Sequence, residues 1–289
     1  MTETGYGPIC GHLHQYDRSL SLMISPPHAS HPKVALIHLG GLSDGYLPTP
    51  YTLPLCELCH KNNMSYVNVL LSSSYLGFGY ASLETDCEEL KKALRYLQEQ
   101  SYRKVYLIGH STGCQQTVVL LRELLTNADE ITMSVGGAIL QAPVSDRESF
   151  SLGREEGDHA KYTTIAAEMI SSGKGEEFMP RASHWSPITA GRFMSLYGRG
   201  GDDDMFSSDL EEAELSRALS HLAQFPNVIF AHSGADEYVP PEIEMKSLHR
   251  KLELASGCKF VVIDGGKHNL AGDGSAMREF LDVVDKMID

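Results

Sequence analysis

The chain has 289 residues, and its 24 Lys and Arg against 38 Asp and Glu give a formal charge of −14, which opposes nucleic acid and anionic membranes and favours a cationic ligand. A hydrophobic fraction of 42% with 21% charged residues excludes a disordered chain, and the length fits one large α/β domain over residues 1–289. No apolar run approaches the roughly 18 residues of a bilayer span, the first residues lack a leader pattern, and six scattered cysteines read as free thiols; the expectation is a cytoplasmic protein with no membrane partner.

Short β-branched runs alternate with helical patterns, which predicts a mostly parallel sheet covered by helices. Strands are expected at 33–38, closed by Gly40 and Gly41, and at 65–71, 104–108, 137–141, 227–231 and 259–263. Helices are expected near 51–62, 82–100, 112–125, 241–254 and 274–288; in the second, Leu83, Cys87, Leu90, Leu94 and Leu97 recur at i, i+4, i+7 spacing. From 146 to 225 the alternation stops, and helical patterns are broken by Gly-rich and polar segments. That stretch is expected to be a helical cap or lid inserted over the carboxyl edge of the sheet.

The strongest local signal is the pentapeptide Gly109-His-Ser-Thr-Gly113, placed directly after a predicted strand and before a predicted helix. In a strand-to-helix elbow the glycines permit a tight turn with the serine at its tip, and the following N–H points at a developing oxyanion. Ser111 is the candidate nucleophile and Thr112 the candidate oxyanion donor; the alternative is a chance match, which the flanking elements oppose. A serine hydroxyl needs a histidine base and an acid to orient it, here in the order Ser, Asp, His. His268, just past the strand 259–263, is the candidate base; Asp236, just past 227–231, is the candidate acid.

Asp146, after the strand 137–141, is the rival acid, with the alternative of a structural carboxylate paired with Arg147 or capping the insertion. His110 occupies the variable position of the elbow and is expected to pack it. A second oxyanion donor is expected in the glycine-rich loop His38-Leu-Gly-Gly-Leu-Ser-Asp-Gly45, with Leu42 first and Gly41 next. Two other patterns carry less. Cys56-Glu-Leu-Cys-His60 matches a haem-attachment pattern but sits in a predicted amphipathic helix, so packing is expected. The acidic run Asp202, Asp203, Asp204, Asp209, Glu211, Glu212 and Glu214 is expected to be a solvated face of the cap rather than a metal site. Tyr75, Phe78 and Trp185 are expected in the core more readily than along a pocket.

Taken together, His38-Leu-Gly-Gly-Leu-Ser-Asp-Gly-Tyr46, Leu71-Ser-Ser-Ser-Tyr-Leu-Gly-Phe-Gly79, Gly109-His-Ser-Thr-Gly-Cys-Gln115, Ile139-Leu-Gln-Ala-Pro-Val-Ser-Asp-Arg-Glu148 and Asp236-Glu-Tyr-Val-Pro240 resemble the fungal siderophore esterases of the α/β-hydrolase fold. The resemblance, from about residue 30 to the end, implies a serine esterase that opens ester bonds of a hydroxamate siderophore such as fusarinine C or triacetylfusarinine C so that iron is released inside the cell. It places Ser111, Asp236 and His268 at the triad positions. It implies a small-molecule partner and no protein cofactor, because the iron belongs to the substrate. The competing expectations are another carboxylesterase or thioesterase of this fold, or a non-catalytic binding module. An epoxide hydrolase or dehalogenase is disfavoured, because those chemistries need a carboxylate where this chain has Ser111.

Overall fold

The computed structural model describes residues 7–27, 33–126, 131–272 and 274–289. In chain order its regular elements are β1 (His12–Gln15), β2 (Ser21–Ser25), β3 (Val34–Leu39), α1 (Thr52–Lys61), β4 (Ser65–Val69), α2 (Leu83–Glu99), β5 (Lys104–His110), α3 (Gly113–Thr126) and β6 (Ser134–Gln141). They continue with α4 (Asp146–Ser149), α5 (Asp158–Ser171), α6 (Ala190–Tyr197), α7 (Glu212–Leu219), β7 (Val228–Ser233), α8 (Met245–Ser256), β8 (Lys259–Ile263) and α9 (Gly274–Ile288).

Among the described residues the strands form one eight-stranded sheet in the order β1-β2-β4-β3-β5-β6-β7-β8. From β4 onward every pairing is parallel, while β2 runs antiparallel to both β1 and β4. This is the α/β-hydrolase arrangement, and the six strands expected from sequence are all present. The hairpin β1–β2 is the addition. Its residues His12, Leu13 and His14 are exposed or partly so, and its turn is closed by a Leu20 N–H to Asp17 carbonyl bond of 3.2 Å. The edge strand β1 is short and polar with no apolar run to betray it, whereas β2 is an inner strand whose three apolar residues, Leu22, Met23 and Ile24, make only a brief run.

The central strands are buried on both faces, which explains their continuous apolar runs. One face carries Leu90, Leu94 and Leu97 of α2, Val118 and Leu121 of α3, and Leu248 and Leu252 of α8. The other carries Leu55, Cys56 and Cys59 of α1 with Phe280 and Val284 of α9. The Cys-x-x-Cys-His pattern is therefore core packing: burial pushes both thiols up, which keeps them protonated, and His60 Nε2 lies 2.9 Å from the Ser25 carbonyl.

Between β6 and β7 the chain carries α4 to α7 and, among the described residues, no strand beyond a single bridge between Phe178 and Thr189. Helices α5 and α6 and the segments beside them have a separate apolar centre, built from Phe150, Tyr162, Met179, Phe193 and Leu196, whereas Leu215 and Leu219 of α7 join the core of the sheet. Buried polar contacts hold this part together and tie it to the segment after β4. Arg192 on α6 makes a two-point ion pair with Asp203 at 2.5 and 3.0 Å and donates to the Phe78 carbonyl at 3.1 Å.

The acidic run matches its expected solvated face in part: Asp202, Asp209, Glu211 and Glu212 are exposed, whereas others are drawn into ion pairs. Asp203 is buried against Arg192, Asp204 accepts from Arg147 at 3.0 Å, Asp209 pairs with Arg147, and Glu214 accepts twice from Arg199 at 3.0 Å. Glu211 and Glu214 form a capping box at the start of α7. Arg192 and Arg199 just before the run, and Arg147 from about 60 residues earlier, neutralise part of it, and none of its residues lines the main cavity.

Candidate active site

The elbow follows from steric exclusion around β5 and α3. A Cβ on Gly109 would stand 2.3 Å from the Gly113 carbonyl oxygen, and one on Gly113 would stand 2.6 and 2.7 Å from the Leu39 and Gly40 carbonyl oxygens. Only glycine fits at either position. Ser111 between them has φ of 53°, a left-handed conformation that costs on the order of 1–3 kcal/mol and persists only when the surroundings hold it. They do: the Ser111 N–H donates to the Gln141 carbonyl at 3.0 Å, and the Ser111 carbonyl accepts from the Cys114 N–H at 2.8 Å.

His268 lies in the loop after β8, with Nδ1 3.0 and 2.9 Å from the two carboxylate oxygens of Asp236 after β7. The side chain of Asp236 is 3% exposed, so this contact forms out of water. A carboxylate on Nδ1 fixes the proton there and leaves Nε2 as the basic nitrogen. The imidazole is also held between His110 and Tyr238, at ring-centre distances of 4.9 and 4.6 Å.

Ser111 and His268 line one cavity of about 570 Å³, within the range of small-molecule sites. Leu42, Val144, Phe150, Leu152, Trp185 and Tyr197 supply apolar wall, and Asp44, Asp146, Glu237 and Arg154 supply charge. Among the described residues neither the Leu42 nor the Thr112 N–H has a hydrogen-bond partner, whereas the Gly41 N–H donates to Asp44 Oδ2 at 2.8 Å. The loop after β3 touches the elbow: a Cβ on Gly41 would lie 2.8 Å from Ser111 Cβ and 3.3 Å from its Oγ.

Asp146 takes neither of its expected structural roles. Arg147 turns away to Asp204 and Asp209, and Ser145 is the residue whose side chain caps α4. Asp146 instead accepts from Gln115 Nε2 at 3.1 Å and lines the cavity; burial and nearby Asp203 push its carboxyl up to about 7. Of the aromatic candidates, Trp185 lines the cavity, Phe78 is buried behind it with ring centres 5.4 Å apart, and Tyr75 is exposed elsewhere.

Gln141 was not singled out by sequence reasoning, yet it joins every part of the site. Its Oε1 accepts from the Tyr51 hydroxyl at 3.0 Å and faces His110 Nδ1 at 2.6 Å; its Nε2 donates to Ser233 Oγ at 3.1 Å and to the His268 carbonyl at 2.9 Å. An amide oxygen only accepts, so His110 carries its proton on Nδ1, and burial holds that ring neutral. Glu237 is the second omission: its Oε2 accepts the His268 N–H at 2.9 Å and fixes the backbone of the histidine loop.

Over residues 1–288 the sequence matches the family described as protein of unknown function (DUF1749). The UPF0613 protein PB24D3.06c of Schizosaccharomyces pombe is 30% identical over 263 residues, covering 83% of this chain and 82% of that protein. The fusarinine C esterase sidJ of Aspergillus fumigatus is 28% identical over 292 residues, covering 84% of this chain and 82% of that protein. Among solved structures, the siderophore hydrolase EstB from Aspergillus fumigatus aligns with a TM-score of 0.81 at 25% identity, covering 97% of this chain and 98% of its own. With a match that spans nearly its whole length and the α/β-hydrolase fold beneath it, the chain belongs to the DUF1749 family.

Proposed function

We propose that this chain is a serine esterase that hydrolyses ester bonds of an iron-loaded hydroxamate siderophore inside the cell, releasing the metal. That the chain is an ester-hydrolysing enzyme accords with the relatives named as esterase and siderophore hydrolase. The observation that carries the chemistry is the strained Ser111 in one cavity with a histidine whose Nδ1 is held by a buried carboxylate.

In the proposed reaction Ser111 Oγ attacks the ester carbonyl as His268 Nε2 takes its proton, and the Leu42 and Thr112 N–H groups receive the oxyanion. Asp236 stabilises the imidazolium, which then protonates the leaving alcohol; water, deprotonated by His268, cleaves the acyl-enzyme. The helices of residues 146–225 act as the cap and furnish Phe150, Leu152, Trp185 and Tyr197 to the substrate wall.

Substrate charge enters through the cavity rather than through the cap surface. Asp44 and Glu237, joined by Asp146 as pH rises through about 7 and it ionises, share the wall with one guanidinium, Arg154. That balance favours ferric fusarinine C, whose free amines make it cationic, over the neutral triacetylated form. The test is kcat/KM for both ferric siderophores at low and high salt, beside a panel of short acyl esters. The expected result is a preference for the cationic substrate that shrinks with salt. Turnover of the short esters with none of either siderophore would refute the substrate assignment.

A further inference from the structure

The loop after β3 carries an internal brace that the proposed reaction does not itself require. Gly41 and Asp44 bond reciprocally: the Gly41 N–H donates to Asp44 Oδ2 at 2.8 Å, and the Asp44 N–H donates to the Gly41 carbonyl at 3.0 Å. The Asp44 carbonyl accepts from the Tyr75 N–H at 2.9 Å, so the brace is tied to the turn after β4. Ser43 inside the loop has φ of 67°, a left-handed conformation that the two bonds hold in place. The Leu42 side chain packs against the apolar centre of α5 and α6.

We propose that Asp44 is the positioning residue of the oxyanion loop: by taking the Gly41 N–H it selects the Leu42 N–H as the loop's available donor and fixes that donor beside Ser111. The inference rests on the serine-esterase reading and goes beyond it by assigning a residue whose carboxylate acts through the backbone. A negative charge near a developing oxyanion would by itself oppose catalysis, so the part Asp44 plays in this loop lies in the bond it accepts. The Gly41 N–H counters the upward push that burial gives the Asp44 carboxyl.

The brace needs an acceptor oxygen at this position, whereas a purely electrostatic role needs the charge. Asp44→Ala removes both, and Asp44→Asn keeps an amide oxygen that can accept from Gly41. For Asp44→Ala on a short acyl ester, kcat is expected to fall on the order of 10²-fold with KM within about twofold, the signature of an interaction made in the transition state. Affinity for a phenylboronic acid, which forms a tetrahedral adduct on the serine, should fall by a similar factor. Asp44→Asn should restore most of both.

Wild-type kcat in Asp44→Ala overturns the proposal. So does an Asn variant that loses as much as the Ala variant, because the charge would then be what matters. If the Ala variant does not fold, the Asn variant decides alone: adduct affinity and kcat close to wild type support the brace, and loss of both overturns it. A wild-type protein that neither turns over esters nor reacts with a fluorophosphonate at Ser111 contradicts the esterase reading instead.

Discussion

Gly41→Ala tests whether the loop after β3 sits at the reacting centre, and its effect can be worked from distances. The added Cβ would lie 2.8 Å from Ser111 Cβ and 3.3 Å from Ser111 Oγ, and His110 Cδ2 follows at 3.4 Å. Carbon atoms in good contact stand roughly 3.5–4.0 Å apart, so one side must yield by roughly 0.7–1.2 Å. The elbow is the stiffer partner, with Ser111 at φ of 53° and bonded to Gln141 and Cys114. The displacement therefore falls on the loop and carries the Leu42 N–H with it. A misplacement of about 1 Å in a reacting constellation costs on the order of 10²-fold, or about 2.7 kcal/mol of transition-state stabilisation. The assay is kcat and KM on a chromogenic short-chain ester, with the melting temperature as control. Gly41 does not occupy the left-handed region, so alanine adds no backbone strain there. The expected result is a loss near 10²-fold in kcat/KM with stability close to wild type. A variant within about threefold of wild-type kcat/KM would show that the loop does not supply the donor, and the reasoning would fail.

Other substitutions probe the acid and the buried carboxylate. Asp236→Asn leaves the His268 ring held by His110 and Tyr238 but no longer selects the Nδ1 proton, so kcat should fall by about 10³–10⁴ while the fold is kept, as judged by circular dichroism. A loss below tenfold would transfer the role of the acid elsewhere, with Asp146 the first alternative. For Asp146, a native carboxyl raised to about 7 from 3.8 holds a proton that the unfolded chain has released. Its contribution to stability is thus full below about pH 4 and is lost as pH rises through about 7. Asp146→Asn lacks this loss, so its melting temperature relative to wild type should climb across that window; a difference that does not change with pH would contradict the raised value. Above about pH 7, where Asp146 is ionised, the same variant should lower the preference for cationic over neutral ferric siderophore, measured as the ratio of kcat/KM values.

The parts of the site that were legible in the sequence are those announced by local chemistry. Ser111 sits between two glycines that the elbow requires, and Asp236 and His268 follow strands whose apolar runs end abruptly. Residues whose role depends on a distant partner were not legible. Gln141 is an ordinary amide at a strand end until Tyr51, His110, Ser233 and His268 close around it. The acidic run from 202 to 214 counts as surface charge until Arg147, about 60 residues earlier, folds against Asp204 and Asp209. Asp44 lay between these cases: a Gly-x-x-Asp spacing is compatible with a side chain that returns to a backbone N–H, but only the fold brings that turn against the nucleophile. Strand β1 was not legible because an exposed edge strand can be short and polar, and β2, although it buries Leu22 and Ile24, offers an apolar run of only three residues.

The products formed from ferric fusarinine C are the most direct test of esterase activity at Ser111. Mass spectrometry of that substrate incubated with the wild-type protein and with Ser111→Ala should find, for the wild type, a ring-opened species one water heavier after the first ester is cleaved and smaller linear fragments after further cleavage. The variant, with its fold and melting temperature retained, should leave the substrate intact. Intact substrate with the wild type, or the same products from Ser111→Ala, would contradict the assignment of this chain as a siderophore esterase acting through Ser111.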